Sequence, residues 1–154
     1  MRLKPNTLIV VAGPTASGKT ALAIQIAKAV DGEIVSADSM QIYRGVDIAT
    51  AKPTPEELAA VPHHLIGFLP MDRAFSVADY AELARKEIND ILSRGKVPVL
   101  CGGTGLYIKA IVDNVQYSEA ITGDEALRER LRQLAEREGN DALWRRLEAM
   151  DPET

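Results

Sequence analysis

The sequence predicts an α/β fold, a parallel sheet with helices on its faces. Three observations carry that expectation. Four short apolar runs, at 8–12, 33–36, 64–69 and 97–101, alternate with longer stretches of helical character. Glycine-rich turns follow the first and last of these runs and lead directly into helices. The composition, 46% hydrophobic and 26% charged over 154 residues, can bury a core.

Residues 8–12 are apolar and β-branched and stop at Gly13-Pro14, which reads as a central strand rather than the apolar core of a signal peptide. Leu22, Ile26 and Ala29 set a helical period over 19–30, which Asp31-Gly32 ends. A second strand is expected at 33–36, then a mixed loop with a helical turn at 37–54. A short helix at 56–61 stops at Pro62, and 64–69 is the third apolar run. Ser76 opens a long helix with Asp79 as its capping-box partner. Leu83, Ile88, Ile91 and Leu92 form its apolar stripe, and Gly95 is its stop. The run at 97–101 is a fourth strand, although Pro98 removes one ladder donor. Gly102-Gly103-Thr104-Gly105 makes a tight turn before a helix at 106–112.

The chain changes character near 117, where strands stop. Residues 1–116 are expected to form the α/β core and 117–154 to begin a helical piece. There, Thr122 and Glu125 form a second capping box, a charged helix runs to 138, 139–141 break it, and a last helix reaches 150. Four strands are few for a doubly wound sheet, and no closing strand follows. The chain therefore reads as an amino-terminal fragment.

Eighteen basic against 22 acidic residues give a net charge of −4, so the whole-surface basic field of many nucleic-acid binders is absent, while a local basic groove is allowed. No apolar run approaches the ~20 residues that span a bilayer. A single cysteine excludes an internal disulfide and fits a reducing, cytoplasmic setting.

Chemistry is concentrated first in Gly13-Pro14-Thr15-Ala16-Ser17-Gly18-Lys19-Thr20, which fits G-x-x-x-x-G-K-[ST] between a strand and a helix. Glycines let backbone N–H groups converge on phosphate oxygens, and the helix amino terminus adds a favourable dipole. Lys19 supplies a mobile charge, and the Thr20 hydroxyl can ligate Mg²⁺. Polyphosphate binding follows. A second carboxylate at the end of a neighbouring apolar strand, usual in P-loop NTPases, is missing: the run at 97–101 ends in Cys101-Gly102. The acid that does follow a strand is Asp38. Carboxyl ends of parallel strands face the ligand crevice, so Asp38 is placed to act as a general base toward an acceptor. A turn or N-cap aspartate is an equal reading. Thr104 lies in the other glycine-rich turn, where its hydroxyl either donates to a leaving-group oxygen or belongs to an ordinary turn.

Four stretches then point one way: GPTASGKTALA at 13–23, SADSMQIYRGVDIATAKP at 36–53, PHHLI at 62–66 and LCGGTGLYIKAI at 100–111. Together they closely resemble the tRNA dimethylallyltransferase, or tRNA isopentenyltransferase, family. The resemblance implies a P-loop NTPase-like core in which the P-loop holds the diphosphate of dimethylallyl diphosphate. It implies transfer of the dimethylallyl group to N6 of the adenosine 3′ of the anticodon, in a tRNA anticodon stem-loop. The family assigns the base role to the aspartate matching Asp38 and a substrate contact to the threonine matching Thr104. The segment matching Asp38, Ser39, Met40 and Gln41 reads the turned-out base. Residues 117–150 would begin the helical insertion that clamps the stem-loop, with Arg128 the one candidate contact there; most helix arginines read as partners of nearby glutamates. The family's missing second half carries another core strand and a donor-binding arginine, so activity of this chain alone is left open.

Lys52 is a further candidate toward the acceptor backbone. Adjacent His63 and His64 point to opposite faces of a strand, which favours a structural role. Cys101 reads as core, and Trp144 as core rather than a stacking platform. Competing functions are a small-molecule kinase of the shikimate-kinase type, an adenylate isopentenyltransferase acting on free nucleotide, and a non-catalytic polyphosphate-binding fragment.

Overall fold

The computed structural model of the chain describes residues 4–46, 52–115 and 124–151. It falls into two compact units, 1–116 and 117–154. The first unit contains β1 (Ile9–Ala12), α1 (Lys19–Val30), β2 (Gly32–Ser36), α2 (Pro55–Ala60), β3 (His63–His64), α3 (Val77–Ser93), β4 (Val97–Gly102) and α4 (Gly105–Val112). All strand pairs are parallel, in the order β1-β4-β2-β3. This is the expected sheet class with flanking helices.

Period-two alternation divides the core between the two faces of the sheet. Val11, Ile34, Val99 and Cys101 pack with Ala23, Ile24 and Ala27 of α1 on one face. Val35 and Leu100 pack with Tyr80, Ala84, Ile88 and Ile91 of α3 on the other. The glycine at 95, left-handed at φ 74, terminates the α3 segment as the sequence implies. Both halves of the Ser76–Asp79 capping box form. A second box, Thr54 with Glu57 and Pro55 at the first helical position, opens α2.

Two strand expectations change. The run at 8–12 was expected to be central, yet among the described residues β1 pairs only with β4 and occupies an edge of the sheet. The interior strands are β2 and β4, the latter despite Pro98. The Ala37 N–H donates to the Cys101 carbonyl on the β2 side, and the Gly13 N–H to the Gly102 carbonyl on the β1 side. Even-numbered residues of β4 therefore face β1. Pro98 does so one residue before the β1 register opens at Ile9–Val99, so its missing N–H costs no bond to β1. Within the run at 64–69 only His64 belongs to a strand, β3, and Leu69 makes one isolated parallel bridge to Tyr43. Leu65 and Gly67 take left-handed conformations at φ 61 and 59, which bends the chain away from β2. Its apolar residues serve packing instead. Leu69 is buried, and Phe68 meets Phe75 edge-on at 5.7 Å.

The histidines do point apart. His63 Nδ1 lies 2.8 Å from the Val61 carbonyl, and burial holds its pKa below the ordinary value. His64 bridges two acids, with Nε2 2.7 Å from Glu33 and Nδ1 2.9 Å from Glu87. Glu33 is buried in β2 and also receives both terminal nitrogens of Arg94, at 2.5 and 2.9 Å. The Arg94 hydrogen bonds, against the opposing effect of burial, hold the Glu33 carboxyl down at about 2. A depressed carboxylate contributes stability that is complete above its unfolded value, 4.5 here, and lost as pH falls through the folded value. The chain is expected to lose on the order of 3 kcal/mol across that window. Glu33→Gln should flatten this limb of a plot of urea midpoint against pH; an unchanged limb in the variant would contradict the assignment.

The second unit contains α5 (Glu125–Glu138) and α6 (Asn140–Met150), which pack on each other. Asp124 caps α5 by accepting the Leu127 N–H at 3.1 Å. The expected cap, Thr122, lies outside the described residues. Gly139, at φ 82, ends one helix and starts the next. Trp144 departs from its expected core role: it is 62% exposed. Leu147 and Met150 are exposed as well, because a single partner helix covers only one face of α6. Among the described residues no helix is long and apolar enough to cross a membrane.

Candidate active site

The first component is the loop from β1 to α1. Ala16 and Gly18 both adopt left-handed backbone, at φ 62 and 80. For alanine this conformation is strained, by about 1–2 kcal/mol, and such strain concentrates at functional turns. A Cβ on Gly13 would meet Ser17 Oγ at 2.9 Å, so the loop closes tightly there. Gly18 is the N-cap of α1 and contributes no side-chain cap to its first-turn N–H groups. Lys19 folds back across the loop, its Nζ donating to the Pro14 carbonyl at 3.1 Å. A phosphate oxygen is a stronger acceptor than that carbonyl, because the bond is then charge-assisted on both sides.

The second component joins the carboxyl ends of β2 and β4. The Thr104 N–H donates to the Ala37 carbonyl at 3.0 Å, and the Ala37 N–H to Cys101 at 2.8 Å. Thr104 occupies the N-cap position of α4, yet its hydroxyl does not cap that helix. It accepts the Ser39 N–H at 2.9 Å and lies 3.2 Å from Ser39 Oγ. Asp38, flanked by these two tied residues, accepts the Met40 N–H at 2.9 Å. The turn role and the crevice position thus coexist in one residue. Gln41 is buried, with its Oε1 accepting from Ser36 Oγ at 3.2 Å.

Gly102 makes the junction possible. A Cβ there would lie 2.1 Å from the Ala37 carbonyl oxygen and 2.3 Å from its carbon. Those are backbone atoms, so the strand ends would have to part. Gly102→Ala is expected to destabilise the fold by about 3 kcal/mol, the upper range for overpacking. Urea denaturation measures this, and a shift below about 0.5 kcal/mol would contradict the close approach.

The two components face one hollow of about 360 Å³. Thr15, Ala16, Gly18, Lys19 and Thr20 line it together with Asp38 and Gln41. Gly13, Pro14 and Ser17 shape the loop without lining the hollow. Ser39, next to Asp38 in the chain, is bonded to Thr104, and Met40 is 52% exposed. Arg128 belongs to the second unit and is described with it: α5 is laced with acid–base pairs, such as Arg132–Glu129 at 3.6 Å. Lys52, with Nζ 2.5 Å from the Tyr43 carbonyl, and Glu57 also line the hollow. Sequence reasoning missed Glu57; the T-P-E-E capping signature of α2 was the signal that could have placed it. Cys101 is buried, its thiol pushed up by desolvation.

The comparisons agree with this architecture. The family model described as IPP transferase matches residues 41–154. The tRNA dimethylallyltransferase of Exiguobacterium sp. is 53% identical over 151 residues, covering 98% of this chain and 48% of that protein. The Bacillus subtilis tRNA dimethylallyltransferase is 49% identical over 146 residues, covering 95% and 46%. Among solved structures, the full-length tRNA isopentenylpyrophosphate transferase of Bacillus halodurans superposes with a TM-score of 0.72 at 44% identity, over 96% of this chain and 48% of that one. A eukaryotic dimethylallyltransferase acting on tRNA gives 0.75 at 29% identity, over 94% and 36%. The chain spans about half the length of the curated relatives it matches. The fold is thus shared with solved transferases over nearly the whole of this chain, and the chain belongs to the IPP transferase family.

Proposed function

We propose that this chain carries the donor cradle and the proton acceptor for dimethylallyl transfer to N6 of the adenosine 3′ of a tRNA anticodon, in the cytoplasm. The observation that carries the reading is the shared hollow, which Lys19, Thr20 and Asp38 all line. The end of the interior strand, where a nucleotidase would place its metal-binding acid, is Cys101-Gly102.

In this reading the P-loop amides and Lys19 grip the diphosphate. The adenine N6 lone pair forms a bond to the allylic carbon as the bond from that carbon to the bridging oxygen breaks. Both electrons of the broken bond leave with diphosphate. The cradle is arranged before the reaction to hold that growing negative charge, so little reorganisation is needed. The amine loses a proton as it bonds, and the Asp38 carboxylate accepts it. Thr104 contacts the substrates near the scissile oxygen. Ser39, Met40 and Gln41 meet the base, Arg128 a stem-loop phosphate, and Lys52 the acceptor backbone.

Magnesium fits the donor set: among the described residues no group of three or more His, Cys, Asp or Glu could cage a metal, but the Thr20 hydroxyl lines the cradle. A hard cation of this kind uses few protein ligands and takes the rest from phosphate oxygens and water. When bound, it supplies further neutralisation of the departing diphosphate.

The test joins this chain to the carboxyl-terminal half of the Exiguobacterium relative and supplies labelled dimethylallyl diphosphate, or in a parallel arm labelled ATP, with an anticodon stem-loop or with AMP. Label on stem-loop adenosine N6 supports the reading. Label on AMP alone assigns the free-nucleotide acceptor, and transfer from ATP with no isoprenoid product assigns a kinase; either overturns it.

A further inference from the structure

One buried hydroxyl in the core has a place that packing alone does not explain. Tyr80 of α3 is fully buried and donates its phenolic O–H to the Ser36 carbonyl at 2.9 Å. That carbonyl is the last of β2, two residues before Asp38. The Ile34 N–H donates to the Pro62 carbonyl, so even-numbered residues of β2 face β3. The β2–β3 register closes at Val35–His64, and Leu65 then turns away at φ 61. Ser36 thus presents its carbonyl beyond the end of the neighbouring strand, and Tyr80 supplies the donor that a longer β3 would have supplied. A buried carbonyl without one is costly.

The same ring reaches the other side of the site. Tyr80 stacks on Tyr107 with centroids 3.8 Å apart and planes 7° from parallel. Tyr107 lies in the first turn of α4, where its N–H donates to the Thr104 carbonyl at 3.0 Å. Thr104 in turn holds Ala37 and Ser39, the residues on either side of Asp38. One aromatic pair therefore contacts both the strand end that carries Asp38 and the helix turn that carries Thr104.

We propose that Tyr80 is a positioning residue for prenyl transfer: its hydroxyl closes the carbonyl that β3 leaves open and so aims Asp38 across the hollow. The inference rests on the transfer reading above and adds a residue that touches neither substrate. Desolvation pushes the Tyr80 phenol well above its ordinary pKa, so the group stays a donor throughout the working range.

Tyr80→Phe removes the hydroxyl and keeps the stack. In the joined enzyme it is expected to lower kcat roughly tenfold to 100-fold, because small misplacements of a reacting group are expensive. KM for dimethylallyl diphosphate should stay within about twofold, since the cradle lies between β1 and α1, away from the Tyr80–Ser36 bond. Ile88→Val, a truncation in the same apolar cluster, is the control for general loosening. It should lower the melting temperature without moving kcat. In the 154-residue chain itself, amide exchange at Ser39 and Thr104 should accelerate in Tyr80→Phe, while Val35 stays protected. Wild-type kcat in Tyr80→Phe, or an equal loss in Ile88→Val, would overturn the inference. A joined enzyme with unsubstituted Tyr80 that makes no product would instead sink the transfer reading, and this inference with it. Unchanged exchange at Ser39 would contradict the positioning role independently of turnover.

Discussion

Lys19→Ala is expected to weaken dimethylallyl diphosphate binding about 100-fold, a loss of ~2.7 kcal/mol. The figure follows from what the lysine is poised to do. Its ammonium now rests on the Pro14 carbonyl at 3.1 Å, a contact between a charge and a neutral acceptor. Exchanging that partner for a diphosphate oxygen makes the bond charge-assisted from both ends, typically worth 1.5–3 kcal/mol or about that. The loop amides, the Thr20 hydroxyl and the helix dipole remain in the variant, so residual binding is expected rather than none. The contact that Lys19 makes with the core Cys101 thiol is through its backbone carbonyl, which the variant keeps, so the melting temperature should hold within about a degree or two. Titration calorimetry with the donor and with inorganic diphosphate reads the effect. A change below about threefold would mean that the ligand is held elsewhere.

Asp38→Asn is expected to lower turnover by roughly 10²- to 10⁴-fold, the usual range for losing a general base, with donor affinity within about twofold. Asparagine keeps the side-chain oxygen that accepts the Met40 N–H at 2.9 Å, so the turn should survive. What it loses is the ability to take a proton. The split between turnover and donor binding matters: a variant that lost both would point to a collapsed turn, and one that lost neither would remove the base assignment. Lys19 opens α1 and Asp38 follows β2, so their effects on donor affinity should be separable.

Much of this arrangement was legible in the sequence because its devices are local. The P-loop spacing, the Ser76–Asp79 box, the left-handed glycine at 95 and the helix over 19–30 are each set by residues within a few positions of one another. The edge position of β1 was not legible. Strand order depends on which edges meet after the crossovers, and Pro98 is tolerated in an interior strand because the donor it lacks would fall beyond the end of the β1 register. The apolar run at 64–69 misled for a related reason: composition records that Leu65, Phe68 and Leu69 are wanted inside, not that Leu65 turns left-handed to bring them there. Trp144 was read as core on hydrophobicity alone, whereas α6 offers more apolar side chains than one packed face can cover. In the site, Asp38 and the P-loop were found by motif and strand end. The Thr104–Ser39 clasp, the Gly102 contact with Ala37 and the Tyr80 bond to Ser36 span 65, 65 and 44 residues and leave no periodic trace.

The central chemical claim is that the bond broken joins carbon to oxygen while phosphorus is left untouched. The most direct measurement follows a heavy-oxygen label placed in the bridging position of dimethylallyl diphosphate, using the joined enzyme and an anticodon stem-loop. The account predicts that all of the label leaves in diphosphate and that the dimethylallyl carbon appears on adenosine N6. Label retained on the five-carbon fragment, with phosphate transferred to water or to an acceptor, would contradict it.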